Sequence, residues 1–187
     1  LLLLSGRGRV VGAKLTADPR ISGVCFTGST ATAQTINRAM AEDIDPGAPL
    51  IAETGGLNAM IVDSTALPEQ AIKDIVASAF QSAGQRCSAL RLLYVQEDVA
   101  DTLLEMLYGA MDELVLGDPW DMRTDVGPVI NQGAFDDITG YVDAARAEGR
   151  VLKELAKPTD GIFVAPAVLK VSGIADLTRE VFGPIMH

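Results

Sequence analysis

The sequence predicts an α/β fold in which helices flank a parallel or mixed sheet. Short apolar runs rich in β-branched residues alternate with amphipathic helical stretches, and glycine or proline separates them. The composition is 48% hydrophobic and 21% charged, which is typical of a soluble globular chain. At 187 residues, the chain is long enough for one domain or for parts of two.

The first third of the chain predicts three short buried strands and one helix. The apolar run 21–27 ends at a glycine and leads into a helical stretch, 31–42. Leu50–Glu53 is the second strand, which a pair of glycines ends, and 58–62 is the third. Strand, small-residue turn and helix therefore follow one another, as in a sheet covered by helices.

The middle of the chain predicts two helices on either side of a loop and a strand. Helix 67–81 has Pro68 in its first turn, where proline is well tolerated. A loop over 82–88 and a strand over 90–95 come next. A long amphipathic helix over 97–114 follows. Its apolar face is expected to comprise Val99, Leu103, Met106, Leu107 and Ala110.

The last third predicts a helix over 131–148, a strand over 162–171 interrupted by Pro166, and an apolar closing segment over 180–187. No internal repeat is visible. No complete dinucleotide-binding unit precedes residue 21, and the closing segment resembles the start of another element. We therefore expect the chain to be a piece of a larger protein.

Composition and charge exclude several classes of function. The net charge of −10 disfavours binding to nucleic acid, because a chain this acidic repels phosphate backbones. The apolar run 1–4 is too short to span a bilayer and lacks the layout of a signal peptide. Two cysteines do not make a disulfide framework, so we expect a cytoplasmic protein.

The only histidine is the last residue, His187. A Cys–His pair or a Ser–His–Asp triad would have to use this terminal residue. Zinc sites built on histidine and cysteine lack ligands, so we expect no metal. A carboxylate is then the natural candidate for a catalytic base.

The two cysteines lie in different surroundings. Cys25 lies in an apolar run and is predicted to be a small core residue. Cys87 lies in a loop beside Gly84 and Arg86. A cysteine near exposed backbone amides and a cation can react as a thiolate. By itself, however, a lone loop cysteine is more often inert than catalytic.

Two further patterns are consistent with a binding cleft. Glu53 ends a predicted strand and precedes two glycines, which would place its carboxylate at a sheet edge; a solvated strand end is the alternative. Gly28 and Ser29 lie between a strand and a helix, where unpaired amides can bind an anion. Capping of the helix by Ser29 explains that second pattern equally well.

Four motifs occur together and in order: F-T-G-S-T at 26–30, E-T-G-G at 53–56, G-Q-R-C-S at 84–88 and E-V-F-G-P at 180–184. Glu53 and Cys87 are 34 residues apart. This combination resembles the aldehyde dehydrogenase superfamily over nearly the whole chain. Each motif alone is weakly specific, whereas the four in register are highly specific.

The resemblance implies roles for both chemical groups. Cys87 would be the nucleophile, with its own N–H helping to hold the oxyanion, and Glu53 the general base. Gly28 and Ser29 would face the pyrophosphate of NAD. The choice between NAD and NADP stays open, because the residue facing the adenosine ribose is expected before residue 1.

The resemblance also assigns roles to four polar or aromatic residues. Glu180 would accept hydrogen bonds from the nicotinamide ribose, and Phe182 would pack beside it; a surface carboxylate and a core aromatic are the alternatives. Ser88 would bind a substrate carboxylate or be a plain loop hydroxyl. Arg86 would stabilise the thiolate or, as we favour, point outward and pair with an acidic neighbour.

The resemblance implies that the chain contains parts of two domains and that the parent protein is oligomeric. Residues 1–54 would be the C-terminal part of an NAD-binding domain, and residues 55–187 most of a catalytic domain. The parent protein would be a homo-oligomer acting on a small aldehyde, soluble or peripheral at the inner membrane.

Closer similarity points to one branch of the family. The stretches 51–56, 58–63, 78–80 and 82–90 look like the L-glutamate γ-semialdehyde dehydrogenase module of bacterial bifunctional proline-utilization proteins, whose separate proline dehydrogenase part uses FAD. Leu57 departs from the polar residue expected there. A monofunctional aldehyde dehydrogenase, a cysteine acyl transferase or thioesterase, and a non-catalytic assembly segment stay open as alternatives.

Overall fold

The computed structural model describes residues 1–187 and divides them into two units, Leu1–Gly55 and Gly56–His187. Each unit has its own strands and helices, and they are described in turn. The assignment of cofactor binding and catalysis to residues 1–54 and 55–187 stays a prediction.

Unit 1 contains two helices and a pair of parallel strands. Its elements are α1 (Val11–Thr16), β1 (Val24–Thr27), α2 (Thr30–Asp43) and β2 (Leu50–Glu53). The two strands are in register from Val24 opposite Leu50 to Thr27 opposite Glu53. Thus the last residue of each strand lies at the same edge, next to the turn that enters α2.

The prediction that Cys25 is a buried core residue is wrong. Cys25 is exposed, as is its cross-strand neighbour Ile51. Unit 1 has only two strands, and nothing within this unit covers the face on which these two side chains lie. The expected burial of β2 fails for the same reason, since three of its four residues are exposed.

Unit 2 contains three long helices and five strands. The elements are β3 (Ala59–Val62), α3 (Pro68–Phe80), β4 (Leu92–Val95), α4 (Glu97–Asp112), α5 (Gln132–Ala147), β5 (Val151–Glu154), β6 (Ala167–Leu169) and β7 (Ile185–Met186). Single turns of 3-10 helix occupy Gln81–Gly84 and Ile174–Asp176.

The strands of unit 2 form mixed sheets. β3 and β4 are parallel, β5 and β6 antiparallel, and β6 and β7 parallel. The His187 N–H donates to the Arg91 carbonyl at 2.8 Å, and the Leu93 N–H donates to the His187 carbonyl at 2.7 Å, which connects the end of β7 to β4. Helices flank these strands, so the predicted fold class is confirmed.

The core of unit 2 lies where helices α3, α4 and α5 pack against the strands. Each helix contributes residues at helical spacing, and each fully buried aliphatic side chain stabilises the fold by about 1.5–3 kcal/mol. The residues with no accessible surface are Ile75, Ala79, Leu107, Met111, Ala145, Ala167, Ile185 and Met186.

The sequence predicted the long helices well and the short strands less well. The strand expected over 162–171 is reduced to Ala167–Leu169, because Pro166 has no N–H to donate to the ladder. β5, β7 and α1 were not predicted. No helix combines the length and the apolar character needed to cross a membrane.

Candidate functional site

Cys87 lies in an irregular segment between α3 and β4, residues 81–90, which we name the Cys87 loop. The loop starts with a 3-10 turn in which three consecutive residues have positive φ: 56° at Ser82, 53° at Ala83 and 64° at Gly84. This left-handed conformation is unfavourable for residues other than glycine. The surrounding packing therefore holds strained backbone at Ser82 and Ala83, five and four residues before the cysteine.

The turn packs directly against the backbone of the closing E-V-F-G-P motif. A Cβ atom placed on Gly84 would lie 2.1 Å from the Gly183 carbonyl oxygen and 2.8 Å from the Pro184 nitrogen. Only a glycine allows two backbones to approach so closely. The third and fourth motifs of the sequence are thus in contact in unit 2.

The side-chain amide of Asn58 ties the centre of the loop to the start of β3. Its Nδ2 donates to the Cys87 carbonyl at 2.7 Å and to the Ala89 carbonyl at 2.9 Å. Cys87 itself is exposed, and its N–H makes no hydrogen bond within the chain. The thiol and the adjacent N–H are therefore both accessible on a loop whose carbonyl groups are fixed.

Two side chains within the loop make further contacts. The Gln85 Oε1 accepts from the Ile130 N–H at 2.8 Å, which links the loop to the segment before α5. Arg86 is exposed, and its Nε donates to the Ser82 Oγ at 3.2 Å. Arg86 thus points outward as expected, but the expectation that it pairs with an acidic neighbour is wrong, because it forms no ion pair. Ser88 is exposed and has no side-chain partner.

Arg91, the residue that follows the loop, is buried and pairs with Glu180. The Arg91 side chain is 1% exposed and the Glu180 side chain 13%. The Arg91 Nη2 and Nε donate to the Glu180 Oε1 at 2.8 and 3.1 Å, while the Gly56 N–H donates to the Glu180 Oε2 at 3.3 Å. Glu180 is therefore neither a free surface carboxylate nor a freely rotating one.

Phe182 lies beside this pair. The Arg91 guanidinium carbon is 5.4 Å from the centre of the Phe182 ring, within the range of a cation–π interaction. The residue is 44% exposed, so part of its ring stays available to a ligand. The alternative that Phe182 is a core aromatic is wrong.

His187 is buried behind the loop and is held at both ring nitrogens. Nδ1 lies 2.9 Å from the Arg91 carbonyl, and Nε2 lies 2.8 Å from the Tyr141 hydroxyl. A carbonyl can only accept, so Nδ1 carries the proton and Tyr141 donates to Nε2. Burial lowers the pKa of His187, and the charges of Arg150 and Arg91 lower it further, against the opposing effect of the Arg91 carbonyl.

This lowered pKa predicts how the free energy of unfolding depends on pH. The unfolded chain binds a proton at His187 more readily than the folded chain, so the contribution of His187 is fully present above the unfolded pKa of about 6.5 and is lost as the pH falls through the lower folded pKa. Between about pH 8 and about pH 5, we expect the Tm to fall further in the wild type than in His187→Gln. Parallel Tm curves for the two proteins would contradict this.

Unit 1 places three of the predicted site residues near one another. The Gly28 N–H donates to the Glu53 carbonyl at 3.1 Å, so the F-T-G-S-T turn lies at the carboxyl end of β2. Ser29 caps α2, since its Oγ accepts from the Thr32 N–H at 3.2 Å. The Glu53 side chain is exposed and makes no hydrogen bond or ion pair within the chain.

The structure thus brings Cys87, Ser88, Glu180 and Phe182 together in unit 2, and Gly28, Ser29 and Glu53 together in unit 1. Sequence reasoning missed Asn58 and Arg91. A signal for each existed: Asn58 is a polar residue directly before an apolar strand, and Arg91 is a charge inside the apolar run 90–95. A charge in such a run must be paired if the run is buried.

A cavity of about 360 Å³ lies between β4 and the segment that contains β6, and Cys87 does not line it. Nowhere in the chain do three or more histidine, cysteine or acidic side chains form a cluster that could hold a metal ion.

Comparison with known sequences gives consistent matches over the whole chain. The chain is 50% identical to the bifunctional protein PutA of Klebsiella aerogenes, over 99% of this chain and 15% of that protein. It is 36% identical to the 1-pyrroline-5-carboxylate dehydrogenase of Geobacillus thermodenitrificans, over 98% of this chain and 37% of that enzyme. The chain therefore spans much less than the full length of these relatives.

Solved structures agree with this similarity. A variant of proline utilization A from Bradyrhizobium japonicum matches with a TM-score of 0.91 and 55% identity, over 97% of this chain and 18% of that one. Betaine aldehyde dehydrogenase from Staphylococcus aureus, solved in complex with NAD+, matches with a TM-score of 0.88 and 29% identity, over 97% of this chain and 37% of that one.

The family model described as the aldehyde dehydrogenase family matches residues 1–187. The four motifs predicted this assignment, and the solved structures share the mixed α/β fold. The chain belongs to the aldehyde dehydrogenase family.

Proposed function

We propose that this chain is part of an NAD-dependent dehydrogenase that oxidises L-glutamate γ-semialdehyde, the open form of 1-pyrroline-5-carboxylate, to L-glutamate. The observation that supports this most directly is the exposed thiol of Cys87, next to its own free N–H, on a loop tied down by Asn58. A nucleophile and an oxyanion donor are thereby presented at one point.

In the proposed reaction, the Cys87 thiol loses its proton to solvent and its sulfur attacks the aldehyde carbon. A carbon–sulfur bond forms, and the negative charge that develops on the aldehyde oxygen is stabilised by the Cys87 N–H. Loss of hydride from that carbon turns the thiohemiacetal into a thioester. Covalent catalysis divides a difficult oxidation into two easier steps.

Glu53 is proposed as the base of the second step. Its side chain is exposed at the end of β2 and has no partner within the chain, so it is free to take a proton. Water that loses a proton to Glu53 attacks the thioester carbon, the carbon–sulfur bond breaks, and the carboxylic acid leaves with Cys87 regenerated.

The residues of unit 1 suit the pyrophosphate of a dinucleotide. Helix α2 has 14 residues, and the N–H groups of Thr30 and Ala31 in its first turn make no hydrogen bond within the chain. Gly28 and Ser29 are exposed beside them. Free amides at the start of a long helix favour a negatively charged group. When bound, NAD would supply the acceptor for the hydride that leaves the substrate carbon.

The residues of unit 2 suit the nicotinamide end. The Glu180 Oε2 accepts one hydrogen bond from the Gly56 N–H and keeps a second acceptor position for a ribose hydroxyl. Phe182 offers an exposed aromatic surface for packing. We propose that Ser88, exposed beside the nucleophile, donates to the substrate carboxylate.

The choice of substrate is supported by the relatives. The Geobacillus enzyme is described as a 1-pyrroline-5-carboxylate dehydrogenase, and the Klebsiella protein as bifunctional. Because the chain covers 15% of the latter, we propose that it works within a longer protein. If that protein is bifunctional, FAD belongs to its proline dehydrogenase part. Both cysteines of the chain are free thiols, which suits the reducing cytoplasm.

Replacement of the nucleophile tests the proposal. We expect Cys87→Ala in the full-length protein to lower the rate of NADH formation from L-glutamate γ-semialdehyde by at least about a thousandfold. Cys25→Ala is the matched control, because it removes the other exposed cysteine, and we expect it to keep wild-type activity. Full activity in Cys87→Ala would overturn the nucleophile assignment.

Two further assays separate the alternatives. Cleavage of thioesters by the full-length protein without NAD, together with no NADH formation from aldehydes, would favour an acyl transferase or thioesterase. The 187-residue chain alone is expected to form no NADH, because its relatives use far longer chains. Turnover by this chain alone would contradict that expectation.

A further inference from the structure

We propose that Arg91 is a positioning residue that locks the Cys87 loop to the segment 180–183, which we name the Glu180 segment. Its importance for turnover rests on the proposed function, but the mechanical coupling stands on contacts within unit 2. Neither the loop nor the Glu180 segment is part of a long helix or strand, so something else must hold them in place.

Arg91 makes four side-chain hydrogen bonds that reach both segments. Two of them go to the Glu180 Oε1, and a third runs from Nη1 to the Gly183 carbonyl at 2.9 Å. The fourth runs from Nη2 to the Arg86 carbonyl at 3.0 Å, one residue before the nucleophile. With 1% of its side chain exposed, Arg91 has no alternative partner in water.

A single nitrogen joins the two segments. The Arg91 Nη2 donates both to Glu180 and to the Arg86 carbonyl. The guanidinium group is planar and rigid, so the direction of one hydrogen bond fixes the direction of the other. A displacement of the Glu180 carboxylate is therefore transmitted to the peptide that precedes Cys87.

Two backbone amides donate to the two groups that Arg91 connects, the Arg86 carbonyl and the Glu180 carboxylate. The Ala89 N–H donates to the Arg86 carbonyl at 3.1 Å, the same acceptor that Arg91 uses. The Gly56 N–H donates to the Glu180 Oε2 at 3.3 Å. If Arg91 holds both groups, loss of its side chain should speed hydrogen exchange at both amides.

The experiment is amide hydrogen exchange in the full-length protein without substrate or cofactor. We expect Arg91→Met to speed exchange of the Ala89 and Gly56 amides by about tenfold. Arg179→Met is the matched control, because it removes an exposed arginine next to Glu180 that pairs with Asp137. We expect it to leave both amides unchanged.

A double-mutant cycle isolates the coupling. Glu180→Leu, which removes both acceptor oxygens, should speed exchange at Ala89 when Arg91 is present and have no further effect in Arg91→Met, because the connection runs through Arg91. Additive effects of the two substitutions at Ala89 would overturn the proposal. If Arg91→Met does not fold, Arg91→Lys keeps the charge but cannot reach Glu180, Gly183 and Arg86 together.

Arg91→Lys also separates positioning from a general structural role. We expect its Tm to fall less than that of Arg91→Met, because the charge opposite Glu180 is kept, while Ala89 exchange accelerates and kcat falls by about tenfold with a smaller change in the KM for the aldehyde. Wild-type exchange and kcat in Arg91→Lys would overturn the proposal. Because hydrogen exchange is measured without turnover, the exchange result does not depend on whether Cys87→Ala abolishes activity. A failure of this inference can therefore be distinguished from a failure of the proposed function.

Discussion

Replacement of Gly84 by alanine is expected to destabilise the protein by about 3 kcal/mol or more and to abolish activity. The new Cβ would lie 2.1 Å from the Gly183 oxygen and 2.5 Å from the Gly183 carbon, and these are backbone atoms that no side-chain rotation can clear. Alanine is also disfavoured at the φ of 64° found here. Urea unfolding of wild type and variant measures the loss.

Gly109 provides the matched control. It lies within α4 and is exposed, and a Cβ there would meet nothing within 4 Å. Gly109→Ala should therefore stabilise the protein by about 0.5–1 kcal/mol, because alanine is favoured over glycine inside a helix. The same substitution thus has opposite signs at the two positions. A Gly84→Ala protein as stable as the wild type would contradict the close contact between the Cys87 loop and the Glu180 segment.

Replacement of Glu180 by leucine is expected to lower the free energy of unfolding by about 3 kcal/mol. The change leaves the buried Arg91 charge without its counterion, and an unpaired buried charge is more costly than the pair is favourable. Glu180→Gln should cost less, because its side-chain oxygen still accepts from the Arg91 Nη2. Thermal and urea unfolding of both variants give the comparison.

The exposed pair of Arg179 and Asp137 is the control for this second prediction. Its two side chains are 48% and 53% exposed, so water screens their interaction. Asp137→Asn should change the free energy of unfolding by less than about 1 kcal/mol. Equal losses in Glu180→Leu and Asp137→Asn would mean that Arg91 does not depend on Glu180 for its burial.

Local pattern was sufficient to predict the long helices. The amphipathic spacing of α3, α4 and α5 repeats over three or more turns, and the Ser29 cap and Pro68 fix two starting points to within a residue. β5 and β7 have only four and two residues, and pairing with distant strands decides whether such segments are extended. That pairing is not encoded in the segment itself.

The chemical groups of the site could be identified from motif order, whereas their supports could not. Cys87 and Glu180 belong to motifs that can be read directly from the sequence, G-Q-R-C-S and E-V-F-G-P. The role of Asn58 depends on a contact with Cys87, 29 residues away along the chain, and that of Arg91 on a contact with Glu180, 89 residues away. Cys25 shows that an apolar run does not by itself ensure burial. Its side chain was predicted to be buried, but nothing within unit 1 covers it.

Asn58 and Arg91 immediately precede β3 and β4, two parallel strands that pair from Ala59 opposite Leu92 onward. Both anchors of the Cys87 loop therefore lie at the same sheet edge, and their spacing follows the strand register. A one-residue insertion before either strand would shift one anchor relative to the other by about 3.3 Å. Insertions in the exposed bend at 159–161 move neither anchor. Insertions and deletions should therefore be tolerated least just before β3 and β4, even where substitutions on the exposed faces of these strands are tolerated.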